Sequence, residues 1–103
     1  MIKMYNSNGR SAPLLICDVC GYTIDDVSDG AAVFAHVSGE GTATPVMHVH
    51  KKTCHDKADE VIGSDASPRW DELSVHLLNL AHNVGMSVEK LAALAERRDQ
   101  CDL

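Results

Sequence analysis

The sequence predicts an α+β fold in which a small β-hairpin and a helix are followed by a C-terminal helical hairpin. The first half of the 103-residue chain has short apolar runs between glycine-containing turns, as strands do, whereas the second half repeats apolar residues at helical spacing. A third observation is the run HVHKKTCH at residues 48–55, which contains three histidines and one cysteine. A chain of this length forms one domain, or one small module with an appendage.

An N-terminal β-hairpin is expected within the first 17 residues. Strand-like residues 1–5 and 14–17 flank Asn6-Ser7-Asn8-Gly9, whose residue types favour a tight turn. The chain has one Phe, one Trp and two Tyr, so it offers few large side chains for a core. Small modules with a poor core commonly depend on disulfides or a metal ion for stability.

A second antiparallel hairpin is expected from residues 31–37 and 45–50. These segments have strand character and lie on either side of a turn at 38–42 that contains two glycines. Side chains alternate along a strand. The residues of the second strand are therefore divided between two faces: Val46, His48 and His50 on one, and Met47 and Val49 on the other.

A first helix should follow this hairpin directly. Thr53, with Asp56 three residues later, is a candidate N-cap for a helix over residues 54–62. Gly63 then ends the helix, because glycine readily adopts the backbone conformation found just after a helix. Residues 63–67 are expected to be a linker.

Two more helices are predicted beyond the linker. Ser67 as N-cap and Pro68 at the first helical position begin a helix that Gly85 ends. Ser87 caps a third helix, which runs from Val88 to about Arg98. Apolar residues at helical spacing are expected to be buried along both helices: Trp70, Leu73, Leu77, Leu80, Ala81 and Val84 on the first, and Val88, Leu91, Leu94 and Ala95 on the second.

These elements divide the chain into four predicted parts. They are a module over residues 1–62, the linker over 63–67, a helical hairpin over 68–98 and a tail over 99–103.

The spacing of cysteine and histidine predicts a metal site. In CDVCG, residues 17–21, the two-residue gap lets both sulfurs face one ion, and Gly21 can adopt a positive φ that turns backbone N–H groups toward them. A cysteine in the first turn of the predicted helix lies at its positive end, which favours the thiolate. The candidate set for one structural, tetrahedral Zn²⁺ per chain is Cys17, Cys20, His50 and Cys54.

The order of CDVCG, a hairpin and a helix that begins within HVHKKTC resembles the treble-clef zinc-finger group over about residues 14–62. Many members of that group have two residues between their second pair of ligands, whereas three separate His50 from Cys54. His48 and His55 therefore stay as alternative ligands. The competing interpretations of Cys17 and Cys20 are a reduced buried dithiol and a thioredoxin-like redox pair.

An enzymatic alternative comes from Cys54-His55-Asp56-Lys57, which resembles the start of the last helix in HNH nucleases, a branch of the same fold group. His48 would then be the strand histidine. That family has a substantial loop with an asparagine between the two, whereas six residues without asparagine separate His48 from His55. Four protein ligands also leave a zinc ion no open position. The chain is therefore expected not to be an enzyme.

Residues 77–96, LLNLAHNVGMSVEKLAALAE, resemble a helix-turn-helix unit, with Ala81 at the helix crossing and Gly85 at the turn. This resemblance implies a DNA-binding regulator as the alternative function. The exposed side of the would-be recognition helix carries Glu89 and lacks the Arg, Asn or Gln that read base edges. The candidate phosphate contacts are Lys51, Lys52, Lys57, Lys90, Arg97 and Arg98.

The net charge of −6 disfavours nucleic acid as the main partner. Four basic residues face five acidic ones over residues 1–55, and five face ten over 56–103. The chain has no run of about 20 apolar residues and MIKMYNSNGR lacks a signal-like core, so we expect a soluble cytoplasmic protein without membrane contact. Cys101 is then expected to be a free thiol.

These patterns together favour a non-catalytic zinc-finger regulator or adaptor, linked to transcription, that binds a protein partner. The helical hairpin over residues 68–98 would supply the contact surface, either for that partner or for a second copy of the chain in a homodimer.

Overall fold

A computed structural model describes residues 1–101 of the chain, with side chains over residues 1–97. The predicted α+β class is confirmed, with two small antiparallel sheets and three helices among the described residues. In chain order the elements are β1 (Ile2–Ser7), β2 (Arg10–Leu15), β3 (Gly30–Ala35), β4 (Val46–His50), α1 (Thr53–Ile62), β5 (Pro68–Glu72), α2 (Leu73–Asn83) and α3 (Val88–Cys101).

The N-terminal hairpin forms its own two-stranded sheet, as predicted. Ile2 pairs with Leu15 at the open end and Ser7 with Arg10 at the turn, so both strands are longer than expected. Asn8 and Gly9 connect them with φ values of 55° and 78°. Two consecutive residues with positive φ make the tight turn whose twist matches that of paired strands, which is why an Asn-Gly pair occurs here.

The main sheet has the order β4-β3-β5, with both pairings antiparallel. The hairpin of β3 and β4 is confirmed, and Ala31 in the central strand pairs with Val49 on one side and Glu72 on the other. For Met47, His48 and Val49 the alternation predicted for β4 is confirmed, because Met47 and Val49 belong to the core around α1 whereas His48 contacts a residue of α2.

Helix α1 covers one face of this sheet. Its Ala58 is fully buried against Ala31, Val33 and Val49, and Cys17 belongs to the same core. These residues are small, so the helix and sheet approach each other closely. Burial of such side chains stabilises the fold less than a core of large residues would.

Helix α2 begins on the opposite face. Leu73 is 1% exposed and occupies the space beside Gly30, where any Cβ would meet its side chain. Because Gly30 precedes Ala31 in a strand, the two residues face opposite sides of the sheet. The sheet thus lies between α1 and the first turn of α2.

The prediction that a helix begins at Pro68 is wrong, because residues 68–72 form strand β5. Ser67 and Pro68 are typical of a helix start, but the second edge of the central strand β3 also needs a partner for its N–H and C=O groups. Proline is tolerated at the first position of an edge strand. The helix starts at Leu73 instead.

The proposed Thr53 cap is also wrong. Helix α1 begins at Thr53 itself, and Lys52 occupies the N-cap position with a φ of 69° and no capping side chain. The amide of Asp56 donates to the Lys52 carbonyl at 2.9 Å. The predicted end at Gly63 is confirmed, since Gly63 has a φ of 88° and donates its amide to Asp59.

The turn between α2 and α3 agrees with the prediction. Gly85 has a φ of 81° and donates to the His82 carbonyl, while Met86 donates to the Ala81 carbonyl at 2.8 Å. These two bonds form a Schellman motif, which satisfies carbonyls at the end of a helix. The hydroxyl of Ser87 then accepts from the Lys90 amide at 3.2 Å, as expected of an N-cap.

The predicted burial along these two helices is mostly wrong. Leu73 is buried, but the other large apolar residues of α2 and α3 are half-buried or exposed, and Trp70 lies in β5 at 48% exposure. The sheet covers only the first turn of α2, so the rest of its apolar stripe has no surface to pack on within the described residues. Exposure reaches 38% to 73% at Val75, Leu78, Leu80, Val84, Val88, Leu91 and Leu94.

Two predictions concern the end of the chain. The third helix extends to Cys101, beyond the expected end near Arg98, so residues 99–101 are not the predicted tail. The remainder of that tail, and the side chains of Arg98 and Cys101, lie outside the described residues. Within residues 1–101, no helix combines the length and apolar character needed to cross a membrane.

The contact of Gly30 with Leu73 gives a test of this fold. We expect Gly30→Ala to lower the free energy of unfolding by about 1–3 kcal/mol, because the new Cβ would lie against Leu73 and only 3.2 Å from Ile24 Cγ2. Urea unfolding measures the loss. Leu73→Val removes the obstructing Cδ atoms, so the double variant should lose less than the sum of the two single losses. If the two losses of unfolding free energy simply add, the new Cβ at position 30 does not contact the side chain at position 73.

Candidate metal centre

Four side chains converge at the junction of a loop, a strand and a helix. The ligand atoms of Cys17, Cys20, His50 and Cys54 all lie within 4.8 Å of one another. This is the set predicted from the sequence, and among the described residues it is the one group of three or more potential ligands with this geometry. The three cysteines are free thiols.

The cysteine turn follows the end of the N-terminal hairpin. Ile16 forms a bridge with Thr23, and the Cys17 amide donates to the Tyr22 carbonyl at 2.9 Å, which closes the turn. Gly21 has a φ of 78°, as predicted, and the Cys20 amide points at the Cys17 sulfur at 3.5 Å. A loop rather than a helix follows, so the pair lacks the context of a thioredoxin-like motif.

Asp18 fastens this turn to the outer edge of β4. Its amide donates to the His48 carbonyl at 2.8 Å, and its carboxylate accepts from the His48 amide at 2.8 Å. These two bonds pair the turn with the strand that carries His50. Cys17 and Cys20 are thereby brought beside the end of β4, although about thirty residues separate them from it in sequence.

The orientation of His50 follows from its hydrogen bonds. Its Nε2 lies 2.9 Å from the carbonyl oxygen of Thr23, which can only accept, so Nε2 carries the proton. Its Nδ1 lies 3.3 Å from the Cys20 sulfur and is the atom that faces the cluster. An imidazole that donates one nitrogen to a carbonyl and directs the other at a metal is the usual arrangement of histidine ligands.

The pKa of His50 also reflects this position. Burial acts to lower it, but the Thr23 carbonyl and the neighbouring Cys17 sulfur raise the pKa above the ordinary value of histidine.

The thiols influence one another strongly. Burial would raise the pKa of Cys17, but backbone N–H groups of Cys20, His50 and Val19 more than offset it and lower the pKa to about 6. Burial raises the pKa of Cys54, and the sulfurs of Cys17 and Cys20 raise it further, to about 11. Without a cation, one thiolate therefore opposes ionisation of its neighbours.

The donor set fits a metal ion. A divalent cation favours the thiolate form of every sulfur that it contacts, which reverses the mutual opposition of the thiols. Four ligands around one ion, with metal–sulfur distances of about 2.3 Å, would place the donors roughly 3.5–3.8 Å apart. The observed separations, up to 4.8 Å, need only a small contraction.

The alternative ligands lie elsewhere. Nε2 of His48 is 3.3 Å from Nε2 of His76 in α2, and burial lowers the pKa of His48. Nε2 of His55 is 3.6 Å from Asp59, and its ring packs edge-on against Trp70. His48 thus contacts α2, whereas His55 contacts Trp70 of β5. The two histidines of the nuclease interpretation therefore have different partners.

Two of the candidate phosphate contacts already have partners within the chain. The Lys51 ammonium pairs with the Glu72 carboxylate, and that of Lys90 donates to the Gly85 carbonyl at 3.0 Å. Lys52 lies at the positive-φ position before α1 and Lys57 within α1, whereas Arg97 lies in α3. The side chain of Arg98 is outside the described residues.

The sequence did not reveal three residues that contact the histidines of β4: Asp18 and His76 contact His48, and Thr23 contacts His50. Each acts through a residue 27 to 30 positions away, by a strand-edge bond, a carbonyl contact or a ring contact. No local spacing signals such partners. Asp18 lies inside the CDVCG motif, but its role depends on where β4 passes.

No family model, characterised protein or solved structure matches this chain, so its site is interpreted from geometry and chemistry.

The thiol pKa values predict how metal affinity depends on pH. With a pKa of about 11, Cys54 keeps its proton near neutrality and must release it to bind an ion, whereas Cys17, at about 6, is already largely ionised. Raising the pH favours the thiolate, so affinity for Co²⁺ should rise at least tenfold per unit between about pH 6 and 8. Competition with a chelator measures this slope. Affinity that is independent of pH would contradict thiolate ligation by Cys54.

Proposed function

We propose that this chain is a non-catalytic zinc-finger protein that acts as a regulatory or adaptor module, linked to transcription. One structural Zn²⁺ organises the module over residues 1–62, and the helices beyond it present a surface to a protein partner. The observation that carries the proposal is the convergence of three sulfurs and one imidazole within 4.8 Å.

The chemistry of the donors supports zinc. Thiolates and an imidazole are the ligands that zinc prefers in structural sites, and four of them complete its tetrahedral shell. His50 supports the assignment further, because its protonated Nε2 is engaged by Thr23 and its Nδ1 is left for the ion. When bound, the ion would neutralise the thiolates and link the cysteine turn to β4 and α1.

The arrangement of elements supports the treble-clef interpretation. The cysteine turn at residues 17–21 is followed by the hairpin of β3 and β4 and then by α1, and the first turn of α1 carries Cys54. The second pair of ligands has the longer spacing already noted, and the positive φ of Lys52 accommodates it where the strand turns into the helix.

A structural rather than catalytic role follows from the number of ligands. Catalytic zinc sites use three protein ligands and leave the fourth position to water or substrate. Here four side chains share the site, so a bound ion would have no free position. The separation of His48 from His55 further disfavours nuclease chemistry.

The helical hairpin supports the partner role. Its apolar residues are exposed along both α2 and α3, and exposed apolar surface of this extent is typical of interaction sites. α2 contains no lysine or arginine, and it carries Leu78 at 60% exposure and three further exposed aliphatic residues in or just after the helix: Val75, Leu80 and Val84. A protein surface with an apolar groove would complement it.

DNA binding remains the second candidate, because the turn favours it. The Schellman motif at Gly85 and the Ser87 cap give a short, well-defined connection of the kind found between helix-turn-helix elements. Phosphate binding would have to displace the contacts of Lys51 with Glu72 and of Lys90 with Gly85.

Mass spectrometry under non-denaturing conditions tests the metal. We expect one zinc per chain, lost together with the folded state in Cys54→Ser, because structural zinc contributes on the order of 10 kcal/mol to folding. Cys101→Ser is the matched control, since it changes the one cysteine outside the predicted ligand set, and it should keep both zinc and fold. A metal-free chain that is fully folded would refute the proposal.

Charge substitutions on the hairpin test the partner surface. Affinity capture with the wild type identifies the partner, and calorimetry confirms that the two proteins bind. The double variant Leu78→Glu/Val84→Glu should not bind this partner. Val61→Glu is the matched control, because Val61 is 72% exposed but lies in α1. It should bind as the wild type does.

Two further measurements decide between occupants of this surface. Light scattering of the purified chain reports a homodimer, which the same double variant should abolish. Retardation of random duplex DNA at low salt, falling steeply as salt is added, would favour the DNA-binding alternative over a protein partner.

A further inference from the structure

A second pair of metal-type donors lies on the face of the main sheet that α2 covers. His48 in β4 and His76 in α2 approach each other with their Nε2 atoms 3.3 Å apart and their rings tilted by 52°. Both residues are half-buried, and neither belongs to the cluster of Cys17, Cys20, His50 and Cys54. His50 is two residues from His48, roughly 7 Å along the strand.

The separation of the two nitrogens fits a shared ion as well as a hydrogen bond. A hydrogen bond from an N–H group commonly has a length of about 2.7–3.2 Å, and the 3.3 Å between these imidazoles is at the long end. Two nitrogens bound to one tetrahedral zinc at about 2.0–2.1 Å lie about 3.3–3.4 Å apart. The two rings therefore already have the spacing of adjacent ligands.

Neighbouring groups fix the position of His48. Its backbone amide donates to the carboxylate of Asp18, and its carbonyl accepts from the Asp18 amide. The same carboxylate lies 3.9 Å from Nδ1, the ring nitrogen that points away from His76. A carboxylate near the far nitrogen of an imidazole helps to orient the ring, and this carboxylate also pairs with the N-terminal ammonium at 3.2 Å.

We propose that His48 and His76 form a second metal site, which takes a divalent ion of borderline softness such as Zn²⁺ through their Nε2 atoms. Imidazole donors suit Zn²⁺, Cu²⁺ and Ni²⁺ rather than Mg²⁺ or Ca²⁺. With two protein ligands, the ion keeps positions for water or for a donor atom from another molecule. The site is consequently weaker than the Cys3His cluster, and its ion exchanges readily.

This site would connect two parts of the chain. His48 lies in the hairpin strand and His76 near the start of α2, so a shared ion restrains α2 on the sheet. The proposal goes beyond the structural zinc, because the two sites have no donor atom in common.

Calorimetry with Zn²⁺ on protein prepared without a histidine tag tests the second site. Starting from chains that carry one zinc by mass, we expect one additional ion to bind, and His76→Gln to weaken that step at least tenfold. His82→Gln is the matched control, because His82 is an exposed histidine in the same helix, and it should leave the step unchanged. Circular dichroism verifies that both variants are folded.

Nuclear magnetic resonance gives a readout that needs no variant. Addition of the second equivalent of Zn²⁺ should shift the ring resonances of His48 and His76 while those of His36 and His82 stay in place. Absence of a second binding step, equal affinity in wild type and His76→Gln, or unshifted His48 and His76 resonances would overturn the proposal.

The outcomes separate this site from the structural zinc. If the second site fails, the wild type and His76→Gln each carry one ion, and Cys20→Ser carries none. Failure of the structural zinc leaves one ion that His76→Gln removes and Cys20→Ser does not.

Discussion

The convergence of three sulfurs and one imidazole is the constraint on which the rest of the structure depends. Each donor lies where two parts of the chain meet: in the turn after the N-terminal hairpin, at the end of β4 and at the start of α1. Cys17 belongs both to this cluster and to the core. Because that core is built mostly from alanine and valine, apolar burial alone holds these elements weakly, and a shared ion would join them directly.

Two further features bear on the proposed function: the electrostatics of the four-residue cluster and the exposure of apolar residues along the helical hairpin. Ionised Cys17 makes ionisation of Cys54 harder, so without a cation Cys54 keeps its proton near neutrality. The core that packs on the two faces of the small sheet is made mostly of small side chains. Apart from Leu73 and Leu77, the large apolar residues of α2 and α3 with described side chains are exposed, which is what a surface for a partner requires.

Local signals predicted the parts of the structure that depend on neighbouring residues. Gly21, Gly63 and Gly85 adopt positive φ where the sequence indicated turns or helix ends, because glycine has no Cβ to clash there. Ser87 caps α3 for an equally local reason. The same type of signal misled at Ser67 and Pro68, which resemble a helix start but precede strand β5. The unpaired edge of β3 decided the outcome there, and that edge is more than thirty residues away.

The sequence by itself determined which donors are present, how the cysteine turn is shaped and on which side of β4 each residue lies. All of these follow from backbone conformation and side-chain alternation over a few residues. Only the tertiary structure decided among the histidines. Alternation alone does not distinguish His48 from His50, but the Asp18 contacts bring the cysteine turn beside His50, while α2 brings His76 to His48. Those choices depend on strand pairing and helix packing between distant segments, which short-range spacing does not encode.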